Sequence, residues 1–79
     1  MNYIVTFYAH FGAIRYKKKC EETGIPSKVM PVPRELSSSC GTCVCTEGRF
    51  LEPTGILVEE VEQIVEKTDS GYRRIRDNR

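Results

Sequence analysis

The run 53-PTGILVEEVEQIVEKTDSG-71 decides how the chain is arranged. Leu57, Val61, Ile64 and Val65 recur at i, i+4, i+7 and i+8, the spacing of one face of an α-helix. Pro53 and Thr54 stand where a helix starts, and Asp69-Ser70-Gly71 stands where it breaks. Glu59, Glu60, Glu62 and Glu66 then form an acidic outer face. This pattern predicts a second helix between two extended segments. Before it lie a short strand, Thr42 to Thr46, and a turn at Glu47-Gly48-Arg49. After it, Tyr72 to Ile75 reads as a closing edge strand and Arg76 to Arg79 as a frayed tail.

The N-terminal half supplies the other elements. Tyr3 to Tyr8 is β-branched and aromatic with period-two alternation, a strand with one face against helices. Phe11 to Thr23 carries Ala13, Tyr16 and Cys20 on one stripe with charged residues mostly outside it, and Gly24-Ile25-Pro26 is a helix stop. Ser27 to Val32 is a second strand. Pro31 and Pro33 lack amide donors, so this strand belongs at an edge or leaves the sheet there. Arg34 to Ser39 is a polar loop. The order is β-α-β-β-α-β, and the predicted architecture is an α+β, ferredoxin-like sandwich: a four-stranded antiparallel sheet with two helices on one face, one domain across residues 1–79.

Composition narrows the function classes. With 79 residues, 39% hydrophobic and 29% charged, the chain makes one small soluble domain. A net charge of +1 creates no global field toward nucleic acid or anionic membrane. Lys17, Lys18 and Lys19 have no interleaved aromatic platform and are balanced by the acidic run, so no nucleic-acid partner is expected. Apolar runs are too short to span a bilayer. Met1 to Phe7 lacks the basic region, long apolar core and cleavage site of a secretory leader, so a cytoplasmic location and reduced thiols are expected. Exposed edge strands leave room for a homodimer.

The chemistry concentrates in 31-PVPRELSSSCGTCVC-45, which holds three of the four cysteines. Cys40 follows three serines and precedes Gly41, so little bulk covers its sulfur, and Arg34 nearby favours thiolate. The opposing reading is a small buried hydrophobe, since free cysteine is among the most buried residue types. Local sequence leaves both open. Cys40-Gly41-Thr42-Cys43 is formally CxxC, but it runs from a loop into a strand and lacks the helix N-terminus that activates that motif elsewhere. Cys43 and Cys45 share one face of an extended segment and are poorly placed to pair with each other. A thiolate metal site would need Cys20 as fourth ligand. Zinc sites use two separated knuckles, Cys20 sits on a helix stripe, and His10 has no partner at ligand spacing, so no metal and no cofactor is expected. Phosphate loops, paired catalytic carboxylates and serine triads are absent.

Phe7, Ala13, Gly24-Ile25-Pro26 and the run Pro31-Val32-Pro33-Arg34-Glu35-Leu36-Ser37-Ser38-Ser39-Cys40-Gly41 resemble the selenium/sulfur carrier protein-like family, small bacterial proteins with a PxPRxxSSxCG motif. The resemblance implies a carrier rather than an enzyme with its own turnover. Cys40 would hold a persulfide or selenopersulfide received from a donor such as a desulfurase and pass it to an acceptor protein. It implies Arg34, Ser38 and Gly41 as the setting of that sulfur. It does not extend to Cys43, which enters the carrier reading separately as a candidate resolving thiol. Cys43, Cys45 and Cys20 depart from the family pattern, as does Ala9-His10 where a small Ser or Thr usually precedes the first helix. Two alternatives stand beside the carrier: a non-catalytic interaction module of sulfur or selenium metabolism with a structural Cys40, and a thiolate metal-binding protein.

Overall fold

In a computed structural model, which describes residues 1–78, the alternating N-terminal run is strand β1 (Asn2–Phe7) and takes the centre of the sheet. Helix α1 (His10–Thr23) follows, burying Gly12, Ala13, Tyr16 and Cys20. Ala9 at its N-cap makes no side-chain capping bond. Gly24 ends it at φ +81°, a left-handed position natural to glycine, and the Ile25 amide donates to the Cys20 carbonyl at 2.8 Å. Strand β2 (Ser27–Pro31) is an edge strand, consistent with Pro31 at its end, and Pro33 lies beyond it in the loop. Strand β3 (Thr42–Glu47) lies between β2 and β1.

The second helix is one turn only. Helix α2 (Leu57–Glu60) stops at Val61, whose φ of −77° and ψ of 126° are extended, and the chain continues as strand β4 (Val61–Thr68). A hairpin then adds strand β5 (Gly71–Asp77). The sheet therefore has five antiparallel strands in the order β2-β3-β1-β4-β5, not the four expected. The apolar spacing of Val61, Ile64 and Val65 fits a helix. However, β4 buries every residue from Val61 to Glu66, and a strand covered on both faces loses its alternation. The backbone decides between the two readings. Without β4, the second edge of β1 would present unpaired amides and carbonyls at the middle of the molecule.

Two crossovers place the elements. β1 and β2 run parallel with β3 between them, connected by α1; β3 and β4 run parallel with β1 between them, connected through α2. This is the split βαβ arrangement with one strand added at the β4 side. The closing edge strand is longer than Tyr72 to Ile75 and takes in Arg76 and Asp77. The tail is not frayed there: the Asn78 amide donates to the Glu62 carbonyl at 2.9 Å, and Tyr8 Oη donates to the Asn78 carbonyl at 3.0 Å. Arg79 lies outside the described residues.

The two sheet faces are covered differently. Val5, Val44 and Ile64 are cross-strand partners and face α1, joining Phe7, Ala13, Tyr16 and Leu57 in the larger core cluster. Ile4, Cys45 and Val65 are partners on the other face, where Val32 and Leu36 of the β2–β3 loop replace a helix as cover. The predicted acidic helix face does not exist as such. Glu59 is exposed, whereas Glu62 and Glu66 are buried on the sheet, Glu66 accepting from Arg73 Nη2 at 2.6 Å and Nε at 3.0 Å.

Candidate functional site

The segment from Val32 to Gly41 leaves β2 and returns to β3, and its base is closed by the Val32 amide donating to the Gly41 carbonyl at 3.1 Å. Pro33 to Leu36 is a turn with Leu36 N–H donating to Pro33 C=O at 3.0 Å, placing Arg34 and Glu35 at the corners in solvent. Leu36 drops onto the cluster around Ile4, Cys43 and Val65 and anchors the loop from beneath.

Three consecutive serines then tie the loop to the sheet. Gln63 Nε2 donates to the Ser37 carbonyl at 3.0 Å, Ser38 Oγ donates to the Phe7 carbonyl at 3.1 Å, and Ser39 Oγ donates to Glu62 Oε2 at 2.8 Å. Glu62 Oε1 accepts from Thr6 Oγ1 at 3.0 Å. Thr6, Glu62 and Gln63 are all buried, so the loop rests on a polar floor at the end of β1 and the start of β4. Gly41 has φ +73°, a conformation that side chains disfavour, and lets the chain turn back into β3 directly after Cys40.

All four cysteines are free thiols, and their surroundings separate them. Cys20 and Cys43 are wholly inaccessible. Burial pushes the Cys20 thiol up from 9.0 to about 11. Cys43 rises from 9.0 to about 11, through burial first and then the neighbouring Cys45 and Cys40 sulfurs. Cys43 Sγ lies 3.7 Å from the Pro31 carbonyl oxygen, its hydrogen-bond acceptor. Cys45 is half-buried on β3. Cys40 is half-buried on the loop, with Sγ donating to the Thr42 carbonyl at 3.3 Å and its side chain packed against the helix-side cluster.

Burial of the two thiols has a consequence for stability. Below pH 9 folded and unfolded chains both keep these protons. Between about pH 9 and 11 the unfolded chain sheds protons that the folded chain retains, so stability falls as pH rises. Each thiol contributes a loss of up to about 1.4 kcal/mol per pH unit across that window. Urea titrations at pH 8 and pH 10.5 should show a clear drop in midpoint, made smaller in a Cys20→Ala variant, whose remaining drop comes from Cys43 and from the Tyr16 hydroxyl that burial also pushes up.

The expected site residues are placed unevenly. Cys40, Gly41 and Ser38 meet at the end of the sheet where β1 hands over to α1. Ser38 contacts the Phe7 carbonyl there, not the Cys40 sulfur. Arg34 is exposed at the turn and makes no hydrogen bond or ion pair among the described residues. Cys43 faces the loop-side cluster, while Cys40 packs toward the helix side. Thr6, Ser39, Glu62 and Gln63 were not anticipated. In the sequence Ser39 reads only as a small neighbour of Cys40, Glu62 reads as part of an acidic helix face, and Thr6 and Gln63 carry no site signal. The signal for them is polar residues inside the apolar run from Val61 to Val65. Among the described residues, no three His, Cys, Asp or Glu side chains are grouped to hold a metal ion. No described helix is long and apolar enough to cross a membrane.

Fold and site together define a small α+β domain with a half-buried free thiol on a pinned β2–β3 loop. The chain belongs to the family described as "Putative Se/S carrier protein-like", whose profile matches residues 2–75. No match was found among curated proteins or among solved structures.

Proposed function

We propose that the chain carries sulfur or selenium on Cys40 between partner proteins in a reducing cytoplasm. The observation that carries this reading is the contrast among the thiols: two are sealed in the core and Cys45 is half-buried within strand β3, whereas Cys40 sits half-open on a loop held by three adjacent residues. The thiolate of Cys40 attacks the outer sulfur of a donor persulfide, E–S–SH. A new S–S bond forms on Cys40, the donor's S–S bond breaks, and the donor leaves as thiolate; no net oxidant is consumed. A selenopersulfide donor reacts in the same way. Delivery to an acceptor repeats the exchange. Gly41, next in sequence to Cys40, leaves its own surface open for the partner's approach, because a Cβ there would meet nothing within 4 Å beyond its chain neighbours. Arg34, free at the loop corner, is available to an anionic partner group.

Incubation with a cysteine or selenocysteine desulfurase tests this. Intact-mass spectrometry should show the protein gaining one sulfur or selenium atom, mapped to Cys40 and absent in Cys40→Ala but retained in Cys45→Ala. No gain in the wild type, or a gain that survives Cys40→Ala, ends the proposal. The packing of Cys40 against the helix-side cluster supports one rival, an interaction module with a structural Cys40. In that case Cys40→Ser loses stability and keeps partner binding.

A further inference from the structure

A glutamate that is only 3% exposed on a sheet is costly unless both carboxylate oxygens are bonded. Glu62 has both bonded, to Thr6 Oγ1 at 3.0 Å and to Ser39 Oγ at 2.8 Å, and has no ion pair among the described residues. An apolar residue of similar volume would serve the core at least as well. What Glu62 adds is a connection. One oxygen is fixed to β1, the central strand; the other holds a loop hydroxyl one residue before Cys40. Hydroxyl-to-carboxylate bonds are among the stronger hydrogen bonds, so this link is a firm one.

We propose that Glu62 is the positioning residue for Cys40, acting through Ser39 to hold the sulfur in one orientation at the end of the sheet. The proposal rests on the reading of Cys40 as the loaded thiol. Ser38 on the Phe7 carbonyl and Gln63 on the Ser37 carbonyl hold the loop's approach; the Ser39–Glu62 bond is its last tether before the sulfur. Without that tether the loop lifts. Cys40 then meets small reagents more often but is misaligned for a protein donor, and these two effects have opposite signs. A merely structural glutamate would not separate them.

The experiment compares Glu62→Leu, which fills the space without bonding, with Glu62→Gln, Ser39→Ala and the double variant Glu62→Leu/Ser39→Ala. Alkylation of Cys40 by iodoacetamide is followed at the peptide level, and circular dichroism monitors the fold. Loss of one charge-assisted bond should shift local opening enough to speed Cys40 alkylation about tenfold in Glu62→Leu and in Ser39→Ala. The double variant should be no faster than either single, because both remove the same link. Glu62→Gln, which keeps an acceptor for Thr6 and a donor toward Ser39 Oγ, should fall back toward the wild-type rate. Desulfurase-driven loading should slow in the variants whose alkylation quickens. Wild-type alkylation rates in both single variants, or additive rates in the double, overturn the proposal. Should Glu62→Leu fail to fold, Ser39→Ala alone tests the same bond by deleting one oxygen. A wild type that takes up no sulfur sinks the carrier reading, while the alkylation rates still decide the role of Glu62.

Discussion

Replacing Tyr16 by phenylalanine should lower stability by about 2–4 kcal/mol, a large share of what a domain of this size possesses. The ring is not the reason, because phenylalanine keeps it: Tyr16 is wholly buried, and its ring meets Phe7 at 5.5 Å between centroids. The hydroxyl is the reason. Tyr16 Oη donates to the Leu51 carbonyl at 2.6 Å and accepts from the Leu51 amide at 2.8 Å. One side-chain atom thus satisfies both backbone groups of a residue in the long segment between β3 and α2. Phenylalanine leaves both unpaired, and a buried backbone group without a partner costs about 1–3 kcal/mol. For a domain near this length, that loss lowers the melting temperature by about 10–20 °C. The urea m-value should stay constant, since the folded state remains compact. A change under 0.5 kcal/mol would mean that water reaches Leu51 and replaces the hydroxyl.

The same residue shows what the sequence made legible. Ala13, Tyr16 and Cys20 announce a buried helix stripe through spacing alone, and all three are buried. That Tyr16 caps the backbone of Leu51, 35 residues away, has no local signature. The first strand, the first helix with its glycine stop, and the proline-marked edge strand were all readable because each is specified by its own residues. The second half was not. Leu57, Val61, Ile64 and Val65 satisfy the helical period, and Leu57 does begin a helix, but only of one turn. A strand buried on both faces has no alternation to show, and what makes it a strand is the unpaired edge of β1, a partner more than 50 residues away in sequence.

That one misassignment hid most of the candidate site. Cys40 and Gly41 were legible from small neighbours and motif resemblance, both local properties. The floor beneath them was not, because Glu62 and Gln63 on a helix would face water and need no partners. On β4 they lie under the loop, and the serines turn from spacers into donors and acceptors. Arg34 is legible in the sequence only as a charge near Cys40; the turn from Pro33 to Leu36 leaves it exposed, with no hydrogen bond or ion pair among the described residues.

Cys43→Ala should leave both the loading of Cys40 and the lifetime of the loaded form within about twofold of wild type at pH 7.5. A resolving thiol would act by attack on Cys40–S–SH, forming a Cys40–Cys43 disulfide and releasing hydrosulfide. Two features oppose this. Cys43 is inaccessible on the loop-side face, while Cys40 packs toward the helix side. Its thiol is also pushed up to about 11, by burial first and by the Cys45 and Cys40 sulfurs next. At pH 7.5 that leaves a thiolate fraction of roughly 3 in 10,000, about a hundredfold below that of an unperturbed thiol, and exchange rates scale with this fraction. Sulfide release should therefore be negligible near neutrality. Any release that depends on Cys43 should rise about tenfold per pH unit toward pH 11, as its proton is lost. The measurement is persulfide lifetime on Cys40, by mass spectrometry, in wild type and Cys43→Ala across pH 7 to 10. A Cys40–Cys43 disulfide appearing at neutral pH, or a tenfold longer lifetime in Cys43→Ala, would restore Cys43 as the resolving thiol. It would also require the β3 end to open, because Cys43 is wholly inaccessible in the folded arrangement.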